Sequence, residues 1–288
     1  MRYARNGTDK NIKSREELCR SEKAGFRKGL AQSLMHSDFM KKTELLENEH
    51  IEYLNKNFGM IVSAEHTFGT DALLLASFSK PKKNHFACDL GTGCGIIPLL
   101  WCRDGLCREI SAVEIQKKGC DQLKRSITAN SLENKLAVYN IDLKTACKIL
   151  PSGKFDLVTM NPPYKGENAG IKSEKEYEKI ARHETLCTLD DICLSAARLL
   201  RFGGRFCVCI RPERLFETMY SMKKQKIEPK KLRLVSKRTD CAPWLCLIEG
   251  KLGGKNGITV LKNLFVYKDS ENLSDDMLEI LGKYREDI

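Results

Sequence analysis

The sequence has no long apolar segment. Its longest apolar run, at residues 96–101, falls far short of the roughly 20 residues that a membrane-spanning helix needs. No hydrophobic stretch follows the basic residues near the start, as it does in a secretory signal peptide. These features argue against a membrane or secreted protein, and we expect a cytoplasmic protein.

Closely paired cysteines are also missing. The chain has 13 cysteines, but none of them has the C-x-x-C spacing from which zinc sites are usually built. An odd number of cysteines in a cytoplasmic chain disfavours a disulfide framework. We therefore predict no metal site, and we predict reduced cysteines that are mostly buried as small hydrophobic side chains.

Acidic residues are outnumbered by basic ones, and the net charge is +11 with a pI near 9.0. Residues 201–238 contain twelve Lys and Arg against three acids, and residues 1–44 contain eleven against six. Such an excess favours a polyanionic partner such as RNA. We interpret residues 1–44 as a basic, loosely ordered extension and residues 45–288 as a single domain, and we favour a monomer.

Strand-like and helix-like segments alternate from residue 85 onward. Short apolar runs predict strands at 85–90, 109–114, 136–141, 155–160 and 205–210. Helical periodicity is found at 95–102, 117–130, 189–200 and 212–224. Three more strands are predicted at 231–236, 244–249 and 259–267, without helices between them. The pattern predicts an α/β protein with a doubly wound sheet that is mostly parallel and has an antiparallel C-terminal end.

A glycine-rich segment joins the first of these strands to the next helix. It reads Asp89-Leu-Gly-Thr-Gly-Cys-Gly, with glycines at Gly91, Gly93 and Gly95. Glycine permits a tight turn and a close approach of the backbone to a ligand. Because the spacing differs from the G-x-G-x-x-G of dinucleotide-binding loops, we predict a ligand without a pyrophosphate.

Two acids end the next two predicted strands. Glu114 can accept both hydroxyls of a ribose from that position, and Asp142 can accept a hydrogen bond from an adenine amino group. With the glycine loop, these acids predict a pocket for a nucleoside that carries a charged amino-acid tail.

The fourth predicted strand leads into Asn161-Pro-Pro-Tyr164. The prolines fix the backbone and remove two N–H donors, so the Asn161 side-chain oxygen and a proline carbonyl are available as acceptors. Tyr164 offers a flat face for a base, worth roughly 1–3 kcal/mol. These acceptors suit an exocyclic amine and would stabilise the positive charge that develops as its nitrogen attacks a methyl group. We predict Asn161, Pro162 and Tyr164 as the catalytic residues, with no metal.

In these motifs the chain resembles the class I S-adenosylmethionine-dependent methyltransferases, whose fold is Rossmann-like. Within them it resembles the bacterial tRNA (adenine-N6)-methyltransferases that modify valine tRNA at the adenine next to the anticodon. The resemblance runs from about residue 48 to the C-terminus and includes a Gly-Thr-Asp segment at 69–71 and an Ala-Arg segment at 181–182. It implies S-adenosylmethionine as cofactor and N6 of an adenine in tRNA as methyl acceptor. No function is assigned to residues 1–44.

The resemblance also implies individual roles. Thr70 and Asp71 would lie beside the methionine part of the cofactor, and the motif residues would hold the cofactor and the target base. The implied cofactor-binding residues are Thr70, Asp71, Asp89, Gly91, Gly93, Glu114, Asp142 and Asn161. From the position of the basic residues we predict RNA contacts at Lys165, Arg211, Lys230, Lys231 and Arg233.

Three alternatives stay open. Enzymes that methylate a glutamine amide in a release factor share Asn-Pro-Pro-Tyr, but they usually carry a sizeable helical N-terminal domain, whereas the segment before Phe68 here is short and basic. Methylation of adenine in ribosomal RNA or DNA is the second, and a non-catalytic RNA-binding protein that has kept the fold is the third. Methylation of tRNA is the leading hypothesis, because an adenine in a loop leaves its stack at low cost.

Overall fold

The computed structural model describes residues 43–55, 57–162 and 187–282. The basic extension predicted at residues 1–44 lies almost wholly outside this part of the chain, as do Tyr164 and Lys165. The strands are β1 (Glu49–Asn55), β2 (Phe58–Ser63), β3 (Phe86–Leu90), β4 (Glu109–Glu114), β5 (Leu136–Asn140), β6 (Phe155–Met160), β7 (Leu200–Ile210), β8 (Ile227–Ser236), β9 (Pro243–Leu252), β10 (Thr259–Val260) and β11 (Leu264–Phe265). The helices are α1 (Thr70–Ser79), α2 (Ile96–Arg103), α3 (Lys117–Ala129), α4 (Ala146–Ile149), α5 (Leu189–Leu199), α6 (Leu215–Lys224) and α7 (Asp275–Gly282).

Nine of these strands form one sheet in the order β10-β8-β9-β7-β6-β3-β4-β5, with β11 also paired to β8. Five neighbouring strands of this sheet run parallel to one another: β7, β6, β3, β4 and β5. Strand β9 is antiparallel to both β7 and β8. The strand order reverses between β3 and β6, and in open α/β sheets ligands bind at such a reversal, outside the carboxyl ends of the strands. The predicted fold class is confirmed: the fold is Rossmann-like, mostly parallel, with antiparallel strands near its C-terminal end.

Two hydrophobic cores cover the two faces of the sheet. Alternate side chains of β7 supply them, since Cys207 and Cys209 belong to one core whereas Phe206, Val208 and Ile210 belong to the other. This alternation follows from the two-residue period of a strand. The first core packs against α1, α2, α3 and α7, and the second packs against α4, α5 and α6.

The β1–β2 hairpin is a separate antiparallel pair that the sequence analysis did not predict. It packs on α3, where the backbone N–H of Ile61 donates to Ser126 Oγ at 2.9 Å. Arg125 of α3 makes two hydrogen bonds of 2.7 Å to the Glu49 carboxylate. These bonds hold the pKa of Glu49 down at about 2, so the ion pair that attaches the hairpin persists across the physiological pH range.

The last predicted strand is wrong in its extent. Within residues 259–267 the structure has only the two-residue strands β10 and β11, and both run parallel to β8. The prediction that most cysteines are buried is confirmed for the described residues, in which nine of twelve cysteines are buried. Over the same residues, no helix combines the length and apolarity needed to cross a membrane, and no cluster of three or more potential metal ligands occurs.

Candidate active site

A cavity of about 390 Å³ opens at the point where the strand order reverses. Its walls come from the carboxyl ends of β3, β4 and β6, from the residue after β5 and from the start of α1. Of the predicted site residues, the cavity is lined by Asp71, Asp89, Gly91, Gly93, Glu114, Asp142, Asn161 and Pro162. Thr70 is the first residue of α1 but does not line the cavity.

The loop between β3 and α2 depends on glycines with positive φ. Gly91, Gly93 and Gly95 have φ values of +62°, +58° and +86°, a region that other residues rarely adopt. A Cβ atom on Gly93 would meet nothing within 4 Å, so the cavity side of this residue is open to a ligand. A Cβ atom on Gly95 would lie 2.3 Å from Leu123 Cδ1, so Gly95 lets α2 pack against α3.

Glu114 fastens the glycine loop from the end of β4. Its Oε2 accepts the backbone N–H of Gly93 at 2.8 Å, and its Oε1 accepts that of Gln116 at the same distance. The side chain is 5% exposed. Each carboxylate oxygen has a second lone pair, so the same group can still accept hydroxyl donors from a ligand.

Asp89 is buried at the end of β3, where its Oδ1 accepts a hydrogen bond from Thr159 Oγ1 at 2.6 Å. Burial raises the pKa of Asp89 to about 7, although the bond from Thr159 lowers it. The charge of this carboxylate therefore changes near neutral pH, which is unusual for aspartate. A cation bound in the cavity would favour the ionised form.

Asp142 follows β5 and has local partners for both oxygens. Oδ1 accepts the backbone N–H of Lys144 at 2.9 Å, and Lys144 Nζ lies 3.4 Å from Oδ2. Asp71 occupies the first turn of α1. Both carboxylates line the cavity and keep unused lone pairs for ligand donors.

Asn161 and Pro162 follow β6 directly and line the same cavity. Asn161 is partly exposed, whereas Pro162 is buried. The thiol of Cys209, on the neighbouring strand β7, donates to Asn161 Oδ1 at 3.0 Å. Cys209 is fully buried and was missed in the sequence analysis, because nothing in the local pattern of β7 separates it from a core residue.

The apolar wall of the cavity was also missed. Ile115, Ile141 and Leu143 line it beside the two strand-end acids, and Ile115 is 45% exposed. A large apolar side chain that is left exposed directly after a strand-end acid suits the face of a planar ring. Its position one residue after Glu114 was the available sequence signal.

The basic residues predicted to contact RNA lie in different settings. Arg211 follows β7, with its guanidinium carbon 5.2 Å from the centre of the Trp244 ring. On β8, Lys230 donates to the backbone oxygens of Lys255 and Gly257 at 3.1 and 2.6 Å. The charged group of Lys231 lies 3.0 Å from Glu249 Oε1, and that of Arg233 lies 3.0 Å from Asp276 Oδ2.

Glu249, which pairs with Lys231, is itself buried on β9. Burial opposes its ionisation, but hydrogen bonds from Arg205 and Lys231 hold the pKa of Glu249 below its usual value. An RNA phosphate at Lys231 would therefore compete with a buried carboxylate that needs the lysine.

Comparison with known proteins finds the methyltransferase small domain family, whose model matches residues 53–226. A Phocaeicola vulgatus protein named tRNA1(Val) (adenine(37)-N6)-methyltransferase is 31% identical over 142 residues, which cover 49% of this chain and 58% of that protein. A Parabacteroides distasonis protein of the same name is 26% identical over 63% of this chain and 75% of its own length. The matched part of the chain thus spans little more than half of the first relative.

Among solved structures, a predicted O-methyltransferase from Agrobacterium tumefaciens superimposes with a TM-score of 0.59. The two proteins are 18% identical, and the match covers 74% of this chain and 96% of that one. At this identity the likeness concerns the fold alone.

Proposed function

Because the chain belongs to the methyltransferase small domain family, we propose that it transfers a methyl group from S-adenosylmethionine to N6 of an adenine in RNA. The substrate we propose is valine tRNA, at the adenine next to the anticodon, in the cytoplasm. The names of the two relatives described above support this choice of substrate.

One observation carries the proposal: Asn161 lines the same cavity as Gly93 and Glu114. A cofactor held by the glycine loop and a planar amine held by Asn161 would therefore meet inside one space. The β3–β6 strand reversal supplies this arrangement, since it opens the crevice between the two strands that carry the two motifs.

The residues of the cavity fit a nucleoside with a cationic tail. Glu114 would accept the ribose hydroxyls, Asp142 the adenine amine, and Ile115 would pack on the ring. Asp71 and Asp89 would face the amino-acid part, and the open space at Gly93 allows its backbone to approach closely. When bound, the cofactor supplies a methyl group on a positively charged sulfur.

Asn161 would act on the acceptor. Its Oδ1 accepts an N6 hydrogen, which directs the nitrogen lone pair into the cavity and stabilises the positive charge that grows on the amine. The proton leaves after the methyl group has moved, so this mechanism needs no general base at the chemical step. We propose Tyr164 as a stacking partner of the base and Lys165 as a phosphate contact; both follow Pro162 closely in the chain.

The proposal is tested with labelled S-adenosylmethionine and tRNA from a strain that lacks this modification. The wild-type protein should produce N6-methyladenosine, detected by mass spectrometry of the digested tRNA. Asn161→Ala should reduce the rate by at least about 100-fold, the scale for losing one such electrostatic contact, while the affinity for S-adenosylhomocysteine stays within about twofold.

The matched control is Asn256→Ala, which removes an exposed asparagine that does not line the cavity. It should leave the rate unchanged. Label that appears in protein and not in tRNA would contradict the RNA proposal and favour methylation of a glutamine amide. Equal rates for Asn161→Ala and the wild type would contradict the role of Asn161.

A further inference from the structure

The carboxyl edge of the sheet extends beyond the cavity onto the antiparallel strands. Because β9 runs opposite to both of its neighbours, the ends of β7 and β8 and the start of β9 meet at this edge. The end of β6, which carries Asn161, lies at the same edge, since β6 and β7 are parallel. The residues that follow these strand ends therefore flank the candidate active site.

Arg211 and Trp244 form a stacked pair at this edge. The guanidinium carbon of Arg211 lies 5.2 Å from the ring centre of Trp244, and its Nη1 donates to the backbone oxygen of Trp244 at 3.0 Å. Arg211 comes two residues after Cys209, whose thiol contacts Asn161. Two strand spacings separate β9 from β6, which is roughly 10 Å.

A second pair of a cation and an aromatic ring lies beside the first. Lys237 follows β8, is exposed, and has its Nζ 5.9 Å from the ring centre of Tyr267. The backbone N–H of Tyr267 donates to the Lys237 oxygen at 2.9 Å, which fixes the two residues together. Arg238 follows Lys237 in the chain, and its side chain is 35% exposed. Its Nε lies 3.1 Å from Oδ1 of the exposed Asp240.

We propose that these five residues, which we call the strand-end surface, bind the single-stranded RNA loop that presents the target adenine. Its members are Arg211, Lys237, Arg238, Trp244 and Tyr267. The cations bind phosphodiester groups, and the partly exposed ring of Trp244 stacks on an unpaired base. This inference rests on the proposed function and specifies where the RNA lies.

The chemistry favours single-stranded nucleic acid over a duplex. Aromatic rings interleaved with cations bind single strands, because unpaired bases expose faces that a helix hides. The planar guanidinium of arginine, besides stacking on an aromatic ring, has a donor geometry that matches a phosphate. The separation from Asn161 of roughly 10 Å corresponds to about three stacked nucleotides at 3.4 Å each, so neighbours of the target base in the same loop reach this surface.

The β8 residues contribute less to this binding. Lys230, Lys231 and Arg233 already have protein acceptors for their charged groups, whereas Lys237 faces an aromatic ring. Among the described residues, an RNA phosphate at Lys237 displaces no carboxylate, whereas a phosphate at Lys231, Arg233 or Arg238 has to replace one.

The test uses the full chain and a synthetic stem–loop with the anticodon sequence of valine tRNA. The protein has two tryptophans, and Trp101 is buried with its Nε1 hydrogen-bonded to Ala76. Binding of the loop should therefore quench the fluorescence of Trp244 alone. In Trp244→Phe the quenching should disappear, while the affinity falls by less than about tenfold because a ring remains.

Lys237→Ala/Arg238→Ala should weaken binding of the stem–loop about tenfold at 0.1 M salt and lower the salt slope by about 1 to 2. The control is Lys223→Ala/Lys226→Ala, which removes two exposed lysines at the opposite edge of the sheet. It should change the affinity by less than twofold. A fully paired RNA of the same length should quench Trp244 much less than the loop does.

The proposal fails if the wild type methylates tRNA but the strand-end variants bind the loop unchanged. It also fails if Lys230→Ala/Lys231→Ala weakens binding more than Lys237→Ala/Arg238→Ala does, since the RNA would then lie along β8. If the wild type neither binds nor methylates tRNA, the proposed function itself is wrong. That result can be distinguished from the two outcomes above, which concern only where the RNA lies.

Discussion

The thiol of Cys209 sets the direction in which Asn161 can act. By donating to Oδ1 at 3.0 Å, it orients the amide, whose oxygen has two lone pairs and can accept from a substrate amine as well. Cys209 is therefore a positioning residue and does not itself need to touch the substrate.

Replacing this thiol should affect turnover more than binding. We expect Cys209→Ala to lower kcat about tenfold with little change in KM for tRNA, and Cys209→Ser to restore most of the rate because the hydroxyl donates as well. Cys207→Ala is the control, since Cys207 lies on the same strand and is equally buried but contacts Glu249 instead. Single-turnover rates at saturating cofactor distinguish the three variants, and equal losses in all of them would indicate a packing effect.

The pKa of Asp89, raised by burial to about 7, predicts a pH-dependent affinity for the cofactor. Below pH 7 the carboxyl group is protonated, and a ligand with a cationic tail then loses its counter-ion. The affinity for S-adenosylhomocysteine should rise about tenfold between pH 6 and pH 8, as measured by calorimetry, and Asp89→Asn should abolish this rise. A flat profile in the wild type would contradict the contact.

The raised pKa of Asp89 also makes the free energy of unfolding depend on pH. The unfolded chain releases the Asp89 proton near its ordinary value of 3.8, whereas the folded chain holds the proton until about 7. The contribution of this group to the free energy of unfolding is therefore complete below pH 4 and is lost as the pH rises through 7.

Strand-end residues could be predicted because they follow from topology. Once four parallel strands are expected, Asp89, Glu114 and Asn161 must reach one edge, and the structure brings all three to one cavity. The contact of Cys209 could not be predicted, because Cys209 alternates along β7 like a core residue and is as buried as Cys207. Its hydrogen bond to Asn161 depends on the pairing of β7 with β6, whereas Ile115 follows Glu114 directly and carried a local signal that was overlooked.

At the scale of elements, helix α2 begins directly after Gly95, a position that has no room for a side chain. Gly95 combines a φ of +86° with a Cβ position 2.3 Å from Leu123 Cδ1. Gly95→Ala should lower the free energy of unfolding by about 3 kcal/mol, the sum of a left-handed conformation and an overpacked core. Urea denaturation measures it directly.

Gly105→Ala provides the comparison. Gly105 also has a positive φ, +65°, but a Cβ atom there would meet nothing within 4 Å. Its cost should be limited to the backbone term of about 1 to 2 kcal/mol. If both variants lose the same stability, the contact of α2 with α3 is looser than the structure shows.

Sequence periodicity predicted the alternating helices and strands, but it failed where contacts with distant residues determine whether a strand forms. The helix at 117–129 and the strand at 109–114 match their predicted bounds within one residue. Residues 259–267 were predicted as one strand, but only two separate two-residue strands pair with β8 there. The β1–β2 hairpin was missed because its attachment to α3 runs through Arg125 and Ser126, which lie more than 60 positions away in the chain.

At the scale of the whole molecule, the cysteines report on the integrity of both cores. Nine of the twelve described cysteines are buried, and burial raises the pKa of thiols such as Cys94 and Cys193 to about 12. Because the thiolate is the reactive form, iodoacetamide at pH 8 should modify Cys241 and Cys147 first among the described cysteines. Cys187 should react more slowly, since burial raises its pKa to about 11.

Peptide mapping by mass spectrometry measures these rates one cysteine at a time. The nine buried thiols should stay unmodified under native conditions and react fully in urea. Modification of Cys207 at the rate of Cys241 would mean that the centre of the sheet opens in the native protein.

The excess of basic residues between 201 and 238 could be counted from the sequence, but which of these side chains face solvent could not be predicted. The sequence places twelve basic residues between 201 and 238, yet Arg205 and Lys231 of this segment share one buried carboxylate. Ion pairs of this kind depend on strand register, as in the opposition of Lys231 and Glu249 on β8 and β9. A linear count of charge cannot separate such residues from those that face solvent.

The hydrogen bond from Gly93 to Glu114 means that the glycine loop takes its shape when the chain folds and not when a ligand arrives. A loop that is already fixed loses little conformational entropy on binding. At this loop, association should then resemble docking to a rigid template, with a heat-capacity change that reflects the buried apolar and polar area and no ordering of the loop. Variation among relatives in affinity for a shared cofactor would accordingly arise from the side chains around the loop, because the loop itself is preorganised.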